Sequence, residues 1–299
     1  MEGWQSDALV ICTRNRVTDL KRCLASVDDA SYIPTRILVV DSSDGSETEE
    51  YCGQSNLPIT YIRAPRGLTI QRNIALAEIH EEIVHFIDDD VEVETDYFQA
   101  LNQALHDSPQ TVGAGGAIVN ADGNRPELLA RLALKSSIHP GRVLRSGYNS
   151  GCFELPRAIN VDWLPGCTMS FRMSAIRGLK FDERRKGYAL GEDVDFGLKA
   201  LERGPLLHTP AARLVHHVSP TNRADQAKLV RASVHNRWAL ATDFPERVSR
   251  AVVVYSSIAE GLIFAVKSVK RGRGLRRRMA AAAFAGVADV LRRGSNVDL

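Results

Sequence analysis

Three adjacent carboxylates, Asp88-Asp89-Asp90, stand at the end of the apolar run His85-Phe86-Ile87. Like charges this close repel one another, and burial shifts their pKa values instead of leaving them ionised. Two arrangements relieve the repulsion: full solvation as an acidic turn, or a bound cation. At the end of a buried strand the cation is the stronger reading. Mg2+ and Mn2+ favour carboxylate oxygens and complete their shells with substrate phosphates. The chemistry indicated is a divalent metal that grips a diphosphate. A second acidic pair, Glu192-Asp193, follows Gly191 and opens an amphipathic stretch with Val194, Leu198 and Leu201 along one side. Acids in a first turn also suit the helix dipole, so this pair has a structural explanation beside any catalytic one. His216-His217 closes the run Leu214-Val215. Imidazole accepts Mn2+, and in an extended segment the two rings point to opposite sides.

Such groups need a scaffold that brings them together. Ala8 to Cys12, Arg36 to Val40, Ile59 to Ile62 and Ile83 to Ile87 read as strands. Thr18 to Val27 and Gly67 to His80 carry helical spacing between them, and Asp41 to Ser46 has the composition of a turn. Strands alternating with helices predict an α/β fold with a mostly parallel sheet covered on both faces. Ligands of such sheets bind beyond the carboxyl ends of the strands. Thr13-Arg14, Asp41 and Asp88-Asp89-Asp90 all follow strand ends, along one edge. Gly113-Ala114-Gly115-Gly116 has no further glycine three residues on and opens no helix, so a bend or bulge within a strand is expected there, not a dinucleotide site. Trp163 to Arg172 is a turn leading into a strand.

The order of motifs resembles a family 2 glycosyltransferase of the GT-A fold. The matching residues are Val10 to Arg16, Val39 to Asp44, Arg66-Gly67-Leu68 with Arg72-Asn73, Phe86 to Val91, Leu164-Pro165-Gly166-Cys167 with Phe171-Arg172, and Gly191 to Asp195. They span roughly residues 8 to 220. The resemblance implies transfer of a sugar, with inversion, from a UDP- or dTDP-linked donor to a hydroxyl of a glycan or lipid-linked acceptor, in cell-surface polysaccharide synthesis. It places Thr13, Arg14, Asn15, Asp41, Arg66, Arg72, Asp88 and Asp89 around the donor. It makes Asp90 and His216 ligands of Mn2+ or Mg2+, Asp193 the general base with Glu192 beside it, and Trp163 and Gly166 part of the acceptor side. Trp163 is equally explained as a core aromatic, and Arg66 and Arg72 as solvated surface arginines. Rival readings are a polyprenyl-phosphate sugar synthase, a non-catalytic sugar-binding scaffold and a metal-dependent nucleotidyltransferase. The last lacks the glycine-rich loop it would need after the first strand, where Thr13-Arg14-Asn15-Arg16 stands.

Of the 299 residues, 44% are hydrophobic and 25% charged, an ordinary globular balance. Charge is uneven: from Pro245 onward eleven Lys/Arg face four Asp/Glu, an excess of +7 in a chain of net +2, leaving −5 for the part before it. The expected organisation is a GT-A domain over residues 1–244 and a basic, amphipathic helical tail over 245–299. Lys267, Lys270, Arg271, Arg273, Arg276, Arg277 and Arg278 lie between the apolar stretches Ala251 to Ser268 and Met279 to Leu291. Apolar helix beside basic cluster suits an anionic membrane surface, with a packed helical hairpin as the alternative. Nucleic acid is not expected, since the cluster lacks interleaved aromatics. A homo-oligomer stays open. Five scattered cysteines without a Cys-x-x-Cys favour a reducing compartment, and Met1 to Asp7 lacks the pattern of a signal peptide. The expected location is cytoplasmic, peripheral at the inner face of the cell membrane.

Overall fold

Short apolar runs separated by amphipathic helices build the first half of the chain, in the order β1 (Asp7–Thr13), α1 (Val17–Asp28), β2 (Arg36–Asp41), α2 (Glu47–Gln54), β3 (Ile59–Arg63), α3 (Leu68–Glu78) and β4 (Ile83–Asp88). There follow β5 (Val91–Val93), α4 (Tyr97–Asp107), β6 (Gly113–Ile118), α5 (Leu128–Leu132), β7 (Ile159–Val161), β8 (Met169–Arg172), α6 (Met173–Ile176), α7 (Glu192–Leu201), β9 (Leu206–His216), α8 (Gln226–Asp243), α9 (Arg250–Lys267) and α10 (Arg273–Arg293). The structure, a computed structural model, describes residues 6–121, 128–185, 189–217, 225–268 and 273–294. The chain divides into two units. One comprises Met1–Gly123, Cys152–Arg184 and Glu192–Thr221; the other comprises Asn124–Gly151, Arg185–Gly191 and Asn222–Leu299.

The first unit holds a nine-stranded sheet among its described residues, ordered β3-β2-β1-β4-β8-β6-β9-β5, with β7 also on β9. The expected parallel arrangement holds for β3-β2-β1-β4. β8 then enters antiparallel between β4 and β6, and β5 and β7 run antiparallel to β9. The sheet is thus mixed in its second half. A four-residue strand such as β8 carries too little periodicity to announce its direction. Val10, Val84 and Phe86 are buried in the middle of the sheet, and Leu20, Leu24 and Val27 of α1 pack with Leu9, Ile11 and Phe98 in its main core. The glycine run lies in β6, where the register against β9 shifts between Gly115 and Ala117. An added Cβ would come within 2.5 Å of the Phe171 ring at Gly113 and of the Ala212 carbonyl oxygen at Gly116. Close strand approach accounts for these glycines.

All five cysteines are free. Cys23, Cys52, Cys152 and Cys167 are buried and Cys12 is partly covered. Burial pushes their thiols up, to about 12 for Cys12 and Cys152 and about 11 for Cys52.

The second unit is helical. Asp225 caps α8 by accepting from the amide of Ala227 at 2.8 Å. Val234 of α8 packs with Val287 and Val290 of α10, and Trp238 and Val254 close over them. Glu260 of α9 is buried and takes Lys135 and, at 2.6 Å, the Tyr148 hydroxyl. The Arg237 guanidinium lies 3.9 Å from the centre of the Tyr148 ring and donates to Ser256 and Ser257. The stretch Met279 to Leu291 spends Ala280, Ala283, Val287 and Val290 on this packing. Of the basic cluster, Lys270 and Arg271 lie outside the described residues, as does the side chain of Arg273. Among the described residues no helix is long and apolar enough to cross a membrane.

Candidate active site

β4 ends on Asp88, and Asp89-Asp90 make the turn into β5. The turn sends the three carboxylates in different directions. Asp88 and Asp90 meet His216, and one ligand atom from each lies within 4.8 Å of the others. His216 arrives because β9 runs antiparallel to β5, pairing Val91 with His216. Its Nε2 is 3.0 Å from Asp90 Oδ1. Burial alone would lower His216, but the bond to Asp90 and the neighbouring Cys167 push it up, to about 11. His217 turns to Glu92 instead, at 2.7 Å. Two carboxylates and an imidazole, with Asp90 buried and the other two half-buried, form a donor set that suits Mn2+ or Mg2+.

Asp89 faces the other way. It accepts from the Thr13 hydroxyl at 2.6 Å and from Arg16 Nη1 at 3.1 Å. Burial raises its pKa to about 7 although both donors oppose the rise. Arg16 also stands 3.6 Å from Asp90. It was not among the residues singled out in the sequence, because nothing in the spacing from position 16 to position 89 signals the contact.

Arg72 is 2% exposed and ties Asp88 to Glu192. Nη1 donates to Glu192 Oε1 at 2.9 Å, and Nη2 to Asp88 Oδ1 at 3.3 Å and to the Gly166 carbonyl at 2.9 Å. Its guanidinium lies over the Phe86 and Phe181 rings. A solvated surface arginine is therefore the wrong description of Arg72, since burial beside three acceptors selects a fixed guanidinium. Arg66 does fit that description: it is exposed on the loop after β3.

Glu192 and Asp193 open α7, next to one another. Burial raises both pKa values; the Asp193 charge adds to the rise at Glu192, and Arg72 opposes it. Asp193 accepts from the amides of Val194 at 2.8 Å and Gly166 at 3.2 Å. Gly166 is thereby wedged between the pair: a Cβ there would sit 2.9 Å from Glu192 Oε1 and 3.3 Å from Arg72 Nη2. Trp163 is 4% exposed, among the core aromatics, and its backbone is what an added Cβ on Gly197 would meet first, at 3.0 Å.

Asp41, at the end of β2, is buried and already well bonded. It accepts from the Ser43 amide at 2.8 Å and the Tyr61 hydroxyl at 2.9 Å, with Arg63 Nη1 at 3.4 Å. Tyr61 and Arg63 were likewise not expected from the sequence. Asn15, at a φ of 54°, joins Asp44 through two side-chain to side-chain and side-chain to backbone bonds of 2.8 and 2.9 Å, and Arg14 reaches Asp44 at 3.4 Å. Gln71 holds the two loops at their roots, donating to the carbonyls of Thr13 and Val40. Thr13, Asp88, Asp89, Asp90, Arg72, Gly166, Glu192, Asp193 and His216 thus form one connected group, and Arg14, Asn15 and Asp41 border it.

Known proteins resemble this chain in sequence and in fold. Residues 8–172 match the profile of "Glycosyl transferase family 2". The pre-mycofactocin glycosyltransferase of Mycobacterium tuberculosis is 28% identical over 96% of this chain. The chain spans 61% of the length of that relative. An uncharacterised protein, y4gI, of Sinorhizobium fredii is 26% identical over 83% of the chain, which spans 28% of it. Among solved structures, GalNAc-T7 with UDP, GalNAc and Mn2+ superposes with a TM-score of 0.62 at 16% identity, over 81% of this chain and 51% of that one. The mannosyltransferase PcManGT of Pyrobaculum calidifontis, in complex with GDP-Man and Mn2+, gives 0.57 at 16% identity, over 97% and 88%. At that identity these neighbours speak for the fold, which is of the GT-A type. With profile and fold in agreement, this chain belongs to glycosyl transferase family 2.

Proposed function

We propose that the chain transfers a sugar, with inversion, from a nucleoside diphosphate donor to a hydroxyl of a glycan or lipid-linked acceptor in cell-surface polysaccharide synthesis. The observation that carries this reading is the meeting of Asp88, Asp90 and His216 from two separate strands, within 4.8 Å, beside the Glu192–Asp193 pair. Asp88, Asp90 and His216 would hold Mn2+ or Mg2+, which when bound neutralises charge on the leaving diphosphate. Arg72 keeps Asp88 and Glu192 at fixed positions. Asp193, its carboxylate oriented by the amides of Gly166 and Val194, takes the proton of the attacking acceptor hydroxyl. The acceptor oxygen bonds to the anomeric carbon as that carbon's bond to the diphosphate oxygen breaks, and the electron pair leaves with the diphosphate. Glu192 orients a sugar hydroxyl. Thr13, Arg14, Asn15 and Asp41 line the side where the base and ribose bind, and UDP and dTDP are the first donors to consider. The tail over 245–299 brings the enzyme to the cytoplasmic face of the membrane.

Calorimetric titration with UDP, dTDP, GDP and CDP, each with and without Mn2+, tests the reading. Binding of one nucleotide only with metal is the expected result. A folded sample that binds none of them would oppose the proposal.

A further inference from the structure

Among the described residues, one face of helix α9 is left uncovered, and that face is apolar. Tyr255, Ile258, Leu262 and Val266 are exposed, Leu262 by 55% and Val266 by 71%. Their spacing of three, four and four residues sets them in one stripe. The other side of the helix buries Val253, Ser256, Ser257 and Glu260 within the unit. α5 widens the stripe: the Tyr255 hydroxyl donates to the Leu132 carbonyl at 3.0 Å, and Leu128 and Leu132 are 68% and 60% exposed. Glu260 is the helix's one acid, and it is turned inward.

Both ends of the stripe are basic. Arg250, the first residue of α9, is exposed, with its guanidinium over the Trp238 ring and donating to the Thr242 hydroxyl at 3.2 Å. At the other end Arg276 Nη1 donates to the Lys267 carbonyl at 2.8 Å, which brings the start of α10, with exposed Arg277 and Arg278, to the same place. Arg278 also pairs with Asp225. A second copy docked on this stripe would set basic end against basic end in either orientation, which opposes self-association. Anionic headgroups complement the same layout, with the apolar stripe at the level of the acyl boundary.

We propose that α9 and α5 form a membrane-docking face, laid flat on an anionic lipid bilayer and anchored by Tyr255, Ile258, Leu262, Val266, Leu128 and Leu132. The apolar contact is thus assigned to α9 and α5, and the start of α10 adds charge beside it. The face stands independently of the donor chemistry. Its link to a lipid-linked acceptor rests on the proposed function.

The test is sedimentation of the full chain with vesicles of phosphatidylcholine alone and with vesicles containing about 30% phosphatidylglycerol. The protein is expected to pellet with the anionic vesicles. Burial of the exposed half of one such side chain is worth about tenfold in partitioning, so Ile258→Glu with Leu262→Glu should weaken binding by about a hundredfold. Both positions are on the surface, and metal-dependent nucleotide binding should match that of the unaltered chain. Failure of the unaltered chain to pellet, or equal pelleting of the double variant, would overturn the proposal. So would a concentration-dependent dimer in light scattering that the double variant splits while vesicles capture neither protein. Loss of nucleotide binding in the unaltered chain with vesicle binding intact would count against the proposed function and leave this face standing.

Discussion

Replacing Arg72 by Met removes the guanidinium while keeping most of the stem's volume, and so isolates what the buried charge does. Three bonds go: 2.9 Å to Glu192, 3.3 Å to Asp88 and 2.9 Å to the Gly166 carbonyl. Breaking a buried ion pair costs about 3–5 kcal/mol when the partner stays charged. Two effects reduce this. The Asp88 side chain is 32% exposed, so water screens its share. Glu192 can take up a proton instead of staying unpaired. Its pKa already lies above the ordinary carboxylate range through burial, and loss of Arg72 raises it further. A carboxyl raised in the folded state contributes stability at low pH that is lost as pH climbs through the folded value. With Arg72 present burial pushes Glu192 up to about 8, so the pH-dependent part of the Arg72→Met deficit should be small up to about pH 7 and grow to about 2 kcal/mol near pH 9.5, or roughly 4 °C in Tm. Scanning calorimetry of the metal-free protein at both pH values measures it. Transfer should fall about a hundredfold through misplacement of Glu192 and Asp88. Equal melting of variant and unaltered protein near pH 9.5, or a deficit that does not change between pH 7 and 9.5, would refute the reasoning.

Asp193→Asn should keep metal-dependent nucleotide binding and lose transfer by about 10²–10⁴-fold; turnover within tenfold of normal would remove Asp193 as the base. His216, held near 11 beside Asp90, is protonated at neutral pH, and metal needs it neutral. Mn2+ binding near pH 7 should then release close to one proton, with apparent affinity rising as pH rises. Titrations in buffers of different ionisation enthalpy read this directly, and an absence of proton exchange would exclude His216 as a ligand. Gly166→Ala puts a methyl 2.9 Å from Glu192 Oε1, and kcat should drop by about tenfold or more with little change in melting. An unchanged kcat would mean that the Glu192 carboxylate has room to move without consequence.

The first half of the sheet was readable because each of its strands is a short apolar run that ends in polar residues. Hydrophobic period and turn chemistry are local properties of the chain. The same holds for Asp88-Asp89-Asp90 at the end of β4 and for the glycines of β6. The separation of the three acids was not readable: their sequence neighbourhood is the same, and only the turn and the distant Thr13, Arg16, Arg72 and His216 distinguish them. Arg72 illustrates the point from the other side. Nothing local separates a buried arginine on α3 from a solvated one such as Arg66. Its burial depends on acceptors at 88, 166 and 192, which the fold supplies. The direction of β8 and the engagement of Asp41 by Tyr61 and Arg63 depend likewise on long-range pairing.

The thiols offer a practical opening for spectroscopy. Maleimides and iodoacetamides attack the thiolate, and every native cysteine here is covered, with its pKa held above the ordinary thiol range. A single cysteine placed on an exposed loop would then be the fast-reacting one at neutral pH. A fluorophore or spin label attached there would report on ligand binding without prior removal of the five native sulfurs.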